Sequence, residues 1–437
     1  MWLTTTATTK AFDEAHWERL ELTAAGFGAE PIRARQRDKL GHLWDRVADV
    51  PAYCGEPWCV ERVLEQAPVT PKAALKSDPD RFLRAGAGPY YRYYETSGST
   101  GEPTPTPRLA TDMVWNTVSV SALWTRSLGQ GDRVASLLPS DIVPVADLVA
   151  SVSGYLGCTL LRCYPFAQGI CDWDRLESLF DRFRPDHVFV APGVLLQWTR
   201  ILKRRGRLDK VSRSVRSLML LGEVSTPALR FRLGEQWQAE ARDVSYGSTE
   251  TGTIAASCPQ DRLHLLAHSF VAEVSEDNTL YPAENGQSGE LVVTTLNNYA
   301  RPLVRYATGD LVTVGECPCG LALPTLTVHG RAAEQVVIGG TLISANQVEH
   351  VVYTTTGVTG YILQSRRSDT DAVRLVLERD VGFTGDVDGI CRAVRDRFAA
   401  ELGVTLTRVL MVDQLPQTTK AGGSQKNWKR TNIQWVD

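Results

Sequence analysis

The chain holds no apolar run near the ~20 residues that a membrane-spanning helix requires, so no transmembrane segment is expected. It has no basic excess either. Lys and Arg number 47 against 50 Asp and Glu, for a formal net charge of -3. The electrostatic footprint of a nucleic-acid binder is therefore missing. No glycine-rich stretch runs into Gly-Lys-[Ser/Thr], which excludes a Walker A loop, and no kinase catalytic loop is present. Internal repeats and low-complexity tracts are absent. The first residues, MWLTTTATTKAFDEAHWERL, lack a basic start and an apolar centre. The expectation is a protein without a secretion signal, cytoplasmic in location. Nine cysteines are an odd count. Cys158, Cys163, Cys171 and Cys391 stand singly in apolar surroundings and read as buried thiols of a reducing compartment.

What is present is an ordinary globular composition, 43% hydrophobic and 22% charged. A chain of 437 residues is too long for one small core, and one large domain plus one small one is expected. Apolar spacing predicts a helical region over 12–50 and helices over 110–128, 146–156, 174–183, 194–203 and 227–236, with a short one opening at 69–72. Short apolar runs at 133–138, 159–161, 187–191 and 217–221 predict strands between them. That alternation argues for an α/β fold with mainly parallel, helix-covered sheets. Ligands in such sheets sit outside the carboxyl ends of strands. Gly222 and Glu223 follow one strand end, Tyr246 and Gly247 another. From about 265 the pattern turns to alternation, with strands expected at 270–274, 289–294 and 311–314, hence a β-rich subdomain. Beyond Arg331 the pattern fits a compact α+β unit. The expected domains are 1–331 and 332–437.

Residues 94–108 read YETSGSTGEPTPTPR. Within it Ser97, Gly98, Ser99, Thr100 and Gly101 offer hydroxyls and an accessible backbone, suited to wrapping phosphate oxygens. Alone, such a tract reads equally well as a linker. A second cluster has metal-ligand chemistry. Cys317 and Cys319 flank Pro318 at a turn, and Cys258 and His264 lie on an earlier loop, with His268 as an alternative to His264. Together they supply a closed Cys₃His set, which suits structural Zn²⁺.

The glycine-rich loop is followed by 244–252 (VSYGSTETG), 305–310 (RYATGD) and the pair Gly330-Arg331. In this order the motifs resemble the adenylate-forming superfamily of acyl- and aryl-CoA synthetases, and most nearly its phenylacetate–CoA ligase branch. The resemblance implies ATP-dependent activation of a carboxylic acid as acyl-AMP, release of pyrophosphate, and transfer to coenzyme A. It assigns residues 97–101 to the β- and γ-phosphates, Thr249 to the α-phosphate, and Glu250 to Mg²⁺. It sets Tyr246 against the adenine, Asp310 on the ribose diol and Arg331 on a ribose or phosphate oxygen. The C-terminal lysine of the superfamily falls to Lys426, with Lys420 and Lys429 competing, because residues are inserted before the expected position. The usual acidic hinge pair is replaced by Ala332 and Ala333 before Glu334. The branch leans towards aryl and arylacetic acids, with candidate pocket walls near 139–143, 189–195 and Val224. A carrier-protein thiol or a nitrogen nucleophile remains open as acceptor, as do a homodimer and a non-catalytic nucleotide-binding relative.

Overall fold

The computed structural model describes residues 5–96, 102–223, 225–331, 335–338, 340–366, 372–415 and 432–436. Two compact units emerge. The first comprises Met1–Asp132, Pro139–Leu160 and Val244–Val328, the second Arg133–Leu138, Leu161–Asp243 and His329–Asp437. The segment 332–437 thus lies wholly within the second unit.

In the first unit the expected 12–50 helical region is two helices, Thr6–Ala24 and Ala29–Val47. They part where Gly26 and Phe27 take positive φ, a conformation that cannot continue a right-handed helix. The first helix packs Ala11 and Ala15 on Val114, Trp115 and Val118 of the helix Ala110–Trp124. The β-rich part is antiparallel, as the alternation predicts. Phe270–Glu276 pairs with Ser288–Thr295, which pairs with Tyr306–Gly315; they bury Val274, Leu291 and Val312, and the central strand is covered along all of 291–295. A buried Arg305 anchors that last strand. Its guanidinium makes two bonds to the Glu273 carboxylate, 2.7 and 2.9 Å, and further bonds to the carbonyls of Glu65 and Ala67.

The second unit carries the helix-covered parallel strands Arg133–Ser136, His187–Val190 and Ser217–Leu221, with Val134 opposite His187 and His187 opposite Ser217. Val188, Phe189, Leu218 and Met219 are all buried, so neighbouring residues on both faces are covered. Phe180, Trp198 and Trp237 pack in sequence, with ring centres 4.6 and 5.2 Å apart, joining the helices Trp173–Phe183, Pro192–Arg204 and Pro227–Trp237. The Trp237 indole also donates to Thr199 Oγ1 at 2.8 Å, which satisfies a buried polar atom. The last hundred residues form the α+β part. A four-stranded sheet, ordered Arg408–Val412, Arg374–Arg379, Val358–Arg366 and Ile433–Val436, accompanies the helices Ala345–Tyr353 and Val387–Leu402. Of the four lone thiols, Cys163 and Cys171 are buried. Cys158 and Cys391 are only half-buried: the first directly follows a helix cap, and the second packs against the core at the edge of the buried face of its helix. No helix among the described residues is long and apolar enough to cross a membrane.

Candidate functional site

The strand Glu240–Ser248 turns sharply into Gly252–Ser257. Gly247 is required there by the backbone itself, since a Cβ would fall 2.2 Å from the Gly252 carbonyl oxygen. Thr249, half-buried, and Glu250, 4% exposed, sit at the tip. Glu250 Oε1 lies 3.5 Å from the Tyr306 hydroxyl, which donates to it, and 3.8 Å from Lys72 Nζ. Both separations exceed those of a tight charge-assisted bond, so the carboxylate is oriented but not consumed. The Tyr306 hydroxyl has its pKa pushed up, first by burial and then by Glu250 and Asp310. It stays a neutral donor at physiological pH. At the other end of the same two segments, the Tyr246 hydroxyl donates to Asp310 Oδ2 at 2.9 Å. Asp310 is held in turn by its own N–H, which donates to Thr308 Oγ1, after Gly309 at φ +79°.

Sequence reading passes over Lys72 as the start of a short helix and Tyr306 as a strand residue. Lys72 is brought in by Thr70, whose backbone bonds to Arg305 and Ala307 at 2.8 and 3.0 Å and whose hydroxyl donates to the Val304 carbonyl. Lys72 Nζ then reaches the Thr308 carbonyl at 3.3 Å. The only signal in the sequence is the run Val69-Thr70-Pro71-Lys72, which reads as helix punctuation. Tyr246, Gly247, Thr249, Glu250 and Asp310 therefore gather in the first unit.

Gly222, Glu223 and Arg331 belong to the second unit. Gly222, at φ +87°, closes the strand Ser217–Leu221, and Glu223 accepts the Gly193 N–H at 3.0 Å where the helix Pro192–Arg204 begins. Arg331 ends the strand Thr325–Arg331 and is half-buried. Ser97, Gly98, Ser99, Thr100, Gly101, Val224, Ala332, Ala333, Glu334, Lys420, Lys426 and Lys429 lie outside the described residues. The flanks of the glycine-rich loop are described. Arg92–Glu95 pairs antiparallel with Pro105–Arg108, and Thr96 and Thr104 exchange hydrogen bonds at the mouth.

In the first unit, too, Cys258, His264, Cys317 and Cys319 place one ligand atom each within 4.8 Å of one another. Cys258 Sγ and Cys317 Sγ are 3.8 Å apart, the separation that two thiolates at about 2.3 Å from a tetrahedral ion would have. Cys319 Sγ is 3.3 Å from His264 Nε2. The other ring nitrogen, Nδ1, sits 3.0 Å from the Leu323 carbonyl, the outer bond that leaves Nε2 free to bind a metal. These four residues fit Zn²⁺. His268 is not among them; it is buried beside Phe27 and Lys39, and burial followed by the Lys39 charge lowers its pKa to about 3.

Against known proteins, the AMP-binding enzyme family matches residues 59–300, more than half of the chain. The phenylacetate-coenzyme A ligase of Thermus thermophilus is 25% identical over 426 residues, spanning 87% of this chain and 93% of its own. That of Escherichia coli is 24% identical over 367 residues, spanning 80% and 81%. Among solved structures, a 2-hydroxyisobutyryl-CoA ligase in its postadenylation state, in complex with 2-HIB-AMP, superposes with a TM-score of 0.79 at 17% identity, covering 93% of this chain and 89% of that one. The chain belongs to the AMP-binding enzyme family, within its phenylacetate–CoA ligase-like branch.

Proposed function

We propose that the protein is an AMP-forming acid–thiol ligase: it activates a carboxylic acid with ATP as acyl-AMP, releases pyrophosphate, and passes the acyl group to coenzyme A. The observation that carries this reading is the pairing, in one unit, of an uncommitted Glu250 carboxylate with the Tyr246–Asp310 contact. Glu250 is the residue that would hold Mg²⁺, which prefers few protein ligands together with phosphate oxygens. The ion would neutralise charge between the phosphate oxygens. Tyr306 orients the Glu250 carboxylate, and Lys72 sets a positive charge near it. Thr249 would donate to the α-phosphate, Asp310 would accept from the ribose hydroxyls, and Tyr246 would lie along the base. Residues 97–101 would hold the outer phosphates. Gly222, Glu223 and Arg331 are further residues proposed to bind nucleotide. Lys426 is the first choice for the lysine that meets the acyl carboxylate.

The acid we favour is aryl or arylacetic, in keeping with the phenylacetate ligases named above. Segment 332–437 would act as the small mobile domain, and the Cys₃His cluster as a structural zinc clamp on the β-rich part. ATP–pyrophosphate exchange across a set of carboxylic acids, followed by mass analysis of products with CoA present, tests the proposal. Acid-dependent exchange and an acyl-CoA product are expected. Nucleotide binding without exchange on any acid would sink it.

A further inference from the structure

The turn that carries Thr249 and Glu250 has its own backbone groups tied to side chains from elsewhere in the unit. Asn298 Nδ2 donates to the Thr251 carbonyl at 3.3 Å, and the Thr253 N–H donates to Asn116 Oδ1 at 2.9 Å. The tightest tie is a single buried nitrogen. Arg108 Nη2 donates to the carbonyls of both Thr249, at 2.8 Å, and Glu250, at 2.9 Å. Arg108 is only 5% exposed. It is the last residue of Pro105–Arg108, the return strand of the hairpin that carries the glycine-rich loop. That hairpin is fixed independently. Arg301, itself buried, donates to the Pro105 carbonyl at 2.8 Å and the Thr106 hydroxyl at 3.2 Å, and on its other side to the Pro79 carbonyl. Just after Arg108, Asp112 accepts the Leu109 N–H at 2.8 Å and the Tyr299 N–H at 2.6 Å.

We infer that Arg108 is a positioning residue: it couples the strand behind the glycine-rich loop to the turn that bears Thr249 and Glu250, and so sets where the Glu250 carboxylate stands. The inference rests on the adenylation reading for its catalytic consequence. A guanidinium suits the task because it is planar and always charged, and its buried charge needs several oxygen acceptors. Two carbonyls that accept one N–H-bearing nitrogen cannot drift apart, and a carboxylate displaced by about 1 Å can cost roughly 100-fold in rate. Lysine keeps the charge but offers a point donor on a flexible stem.

The test compares wild type, Arg108→Ala and Arg108→Lys. Hydrogen–deuterium exchange across 246–254 should quicken in Arg108→Ala, with exchange in the second unit unchanged. In ATP–pyrophosphate exchange, kcat should fall about 30- to 100-fold, the Mg²⁺ half-saturation should rise several-fold, and KM for the acid should move less than about threefold. Arg108→Lys should recover part of both effects, and it carries the test alone if Arg108→Ala does not fold. Unaltered deuterium exchange across 246–254 overturns the inference. So does faster deuterium exchange with normal kcat and Mg²⁺ requirement. If wild type itself shows no acid-dependent turnover, the adenylation reading has failed. Arg108 is then judged by deuterium exchange together with calorimetric titration of Mg²⁺–ATP, where affinity equal to wild type overturns its positioning role.

Discussion

A carboxylate that is held loosely is the residue-scale signature of this site. Glu250 is buried, yet its two near neighbours stand at 3.5 and 3.8 Å. Glu250→Gln keeps the shape and the acceptor for Tyr306 while removing the charge. Pyrophosphate exchange should fall at least about 100-fold, the scale on which a lost electrostatic contact to a transition state is felt. The melting temperature should change little, and near-normal exchange would refute the role. A different carboxylate supplies a pH effect. Glu349 accepts the Thr226 N–H and hydroxyl at 3.2 and 3.1 Å. Burial pushes its pKa up to about 7, Glu223 adds to the rise, and the Thr226 donors and Arg230 oppose it. Because the folded value lies above the ordinary 4.5, the stability tied to the proton is present at low pH. It is lost as pH climbs through about 7. Thermal melts of Glu349→Gln should therefore show a flatter profile between pH 5 and 8 than wild type, and a gain over wild type that is larger at pH 8. Equal pH slopes would count against it. Glu250 and Asp310 were legible in the sequence because their motifs, 244–252 and 305–310, resemble those of the adenylate-forming superfamily; alone, each would pass for an ordinary turn residue. Lys72, Tyr306 and Arg108 were not. Each owes its place to partners far along the chain, and no local pattern encodes that.

At the scale of elements, the zinc reading makes a demand on the antiparallel region. Cys258 and His264 bracket the turn before and within the strand Leu263–Leu265, while Cys317 and Cys319 follow Tyr306–Gly315. An ion there would add a second tie beside the backbone pairing of Leu263 and His264 with Leu326 and Thr325. Purified protein should carry about one equivalent of zinc. Chelation, or Cys319→Ser, should lower the melting temperature, since binding free energy at such a site is folding free energy. Less than about half an equivalent, with no change on chelation, would remove the clamp. The spacing of the cysteines was readable; that Leu323 would orient His264 was not. The same division runs through the fold. Strands such as Ser217–Leu221 and helices such as Trp173–Phe183 were legible because apolar period and length agree. The three-residue strand Leu263–Leu265 is too short to show alternation, and the parting at Gly26 and Phe27 hid inside a continuous helical pattern.

On the scale of the whole molecule, the question is what must break if 332–437 moves between half-reactions, as its resemblance to the ligases suggests. Within the second unit this segment is fastened to the helix Pro192–Arg204 by charge. Glu378, 2% exposed, meets Arg200 at 3.2 Å and Arg204 at 3.6 Å, and Asp380 meets Lys203 at 2.6 Å. A second tie joins Arg232 to the carbonyls of Tyr353 and Thr355. Removing one partner of a buried ion pair strands the other, at about 3–5 kcal/mol, whereas the pair intact is worth little over an apolar substitute. Such a contact is therefore weak as glue and strong as a switch, because it penalises half-open arrangements. Glu378→Gln, and the milder Lys203→Met, should slow the half-reaction that uses this docked arrangement and spare the other. The ratio of pyrophosphate exchange to thioester formation from supplied acyl-AMP should then shift by more than about threefold, with Glu378→Gln shifting it further than Lys203→Met. A lowered melting temperature with an unchanged ratio would mean that the contact only holds the fold together, and that 332–437 does not leave this seat during turnover.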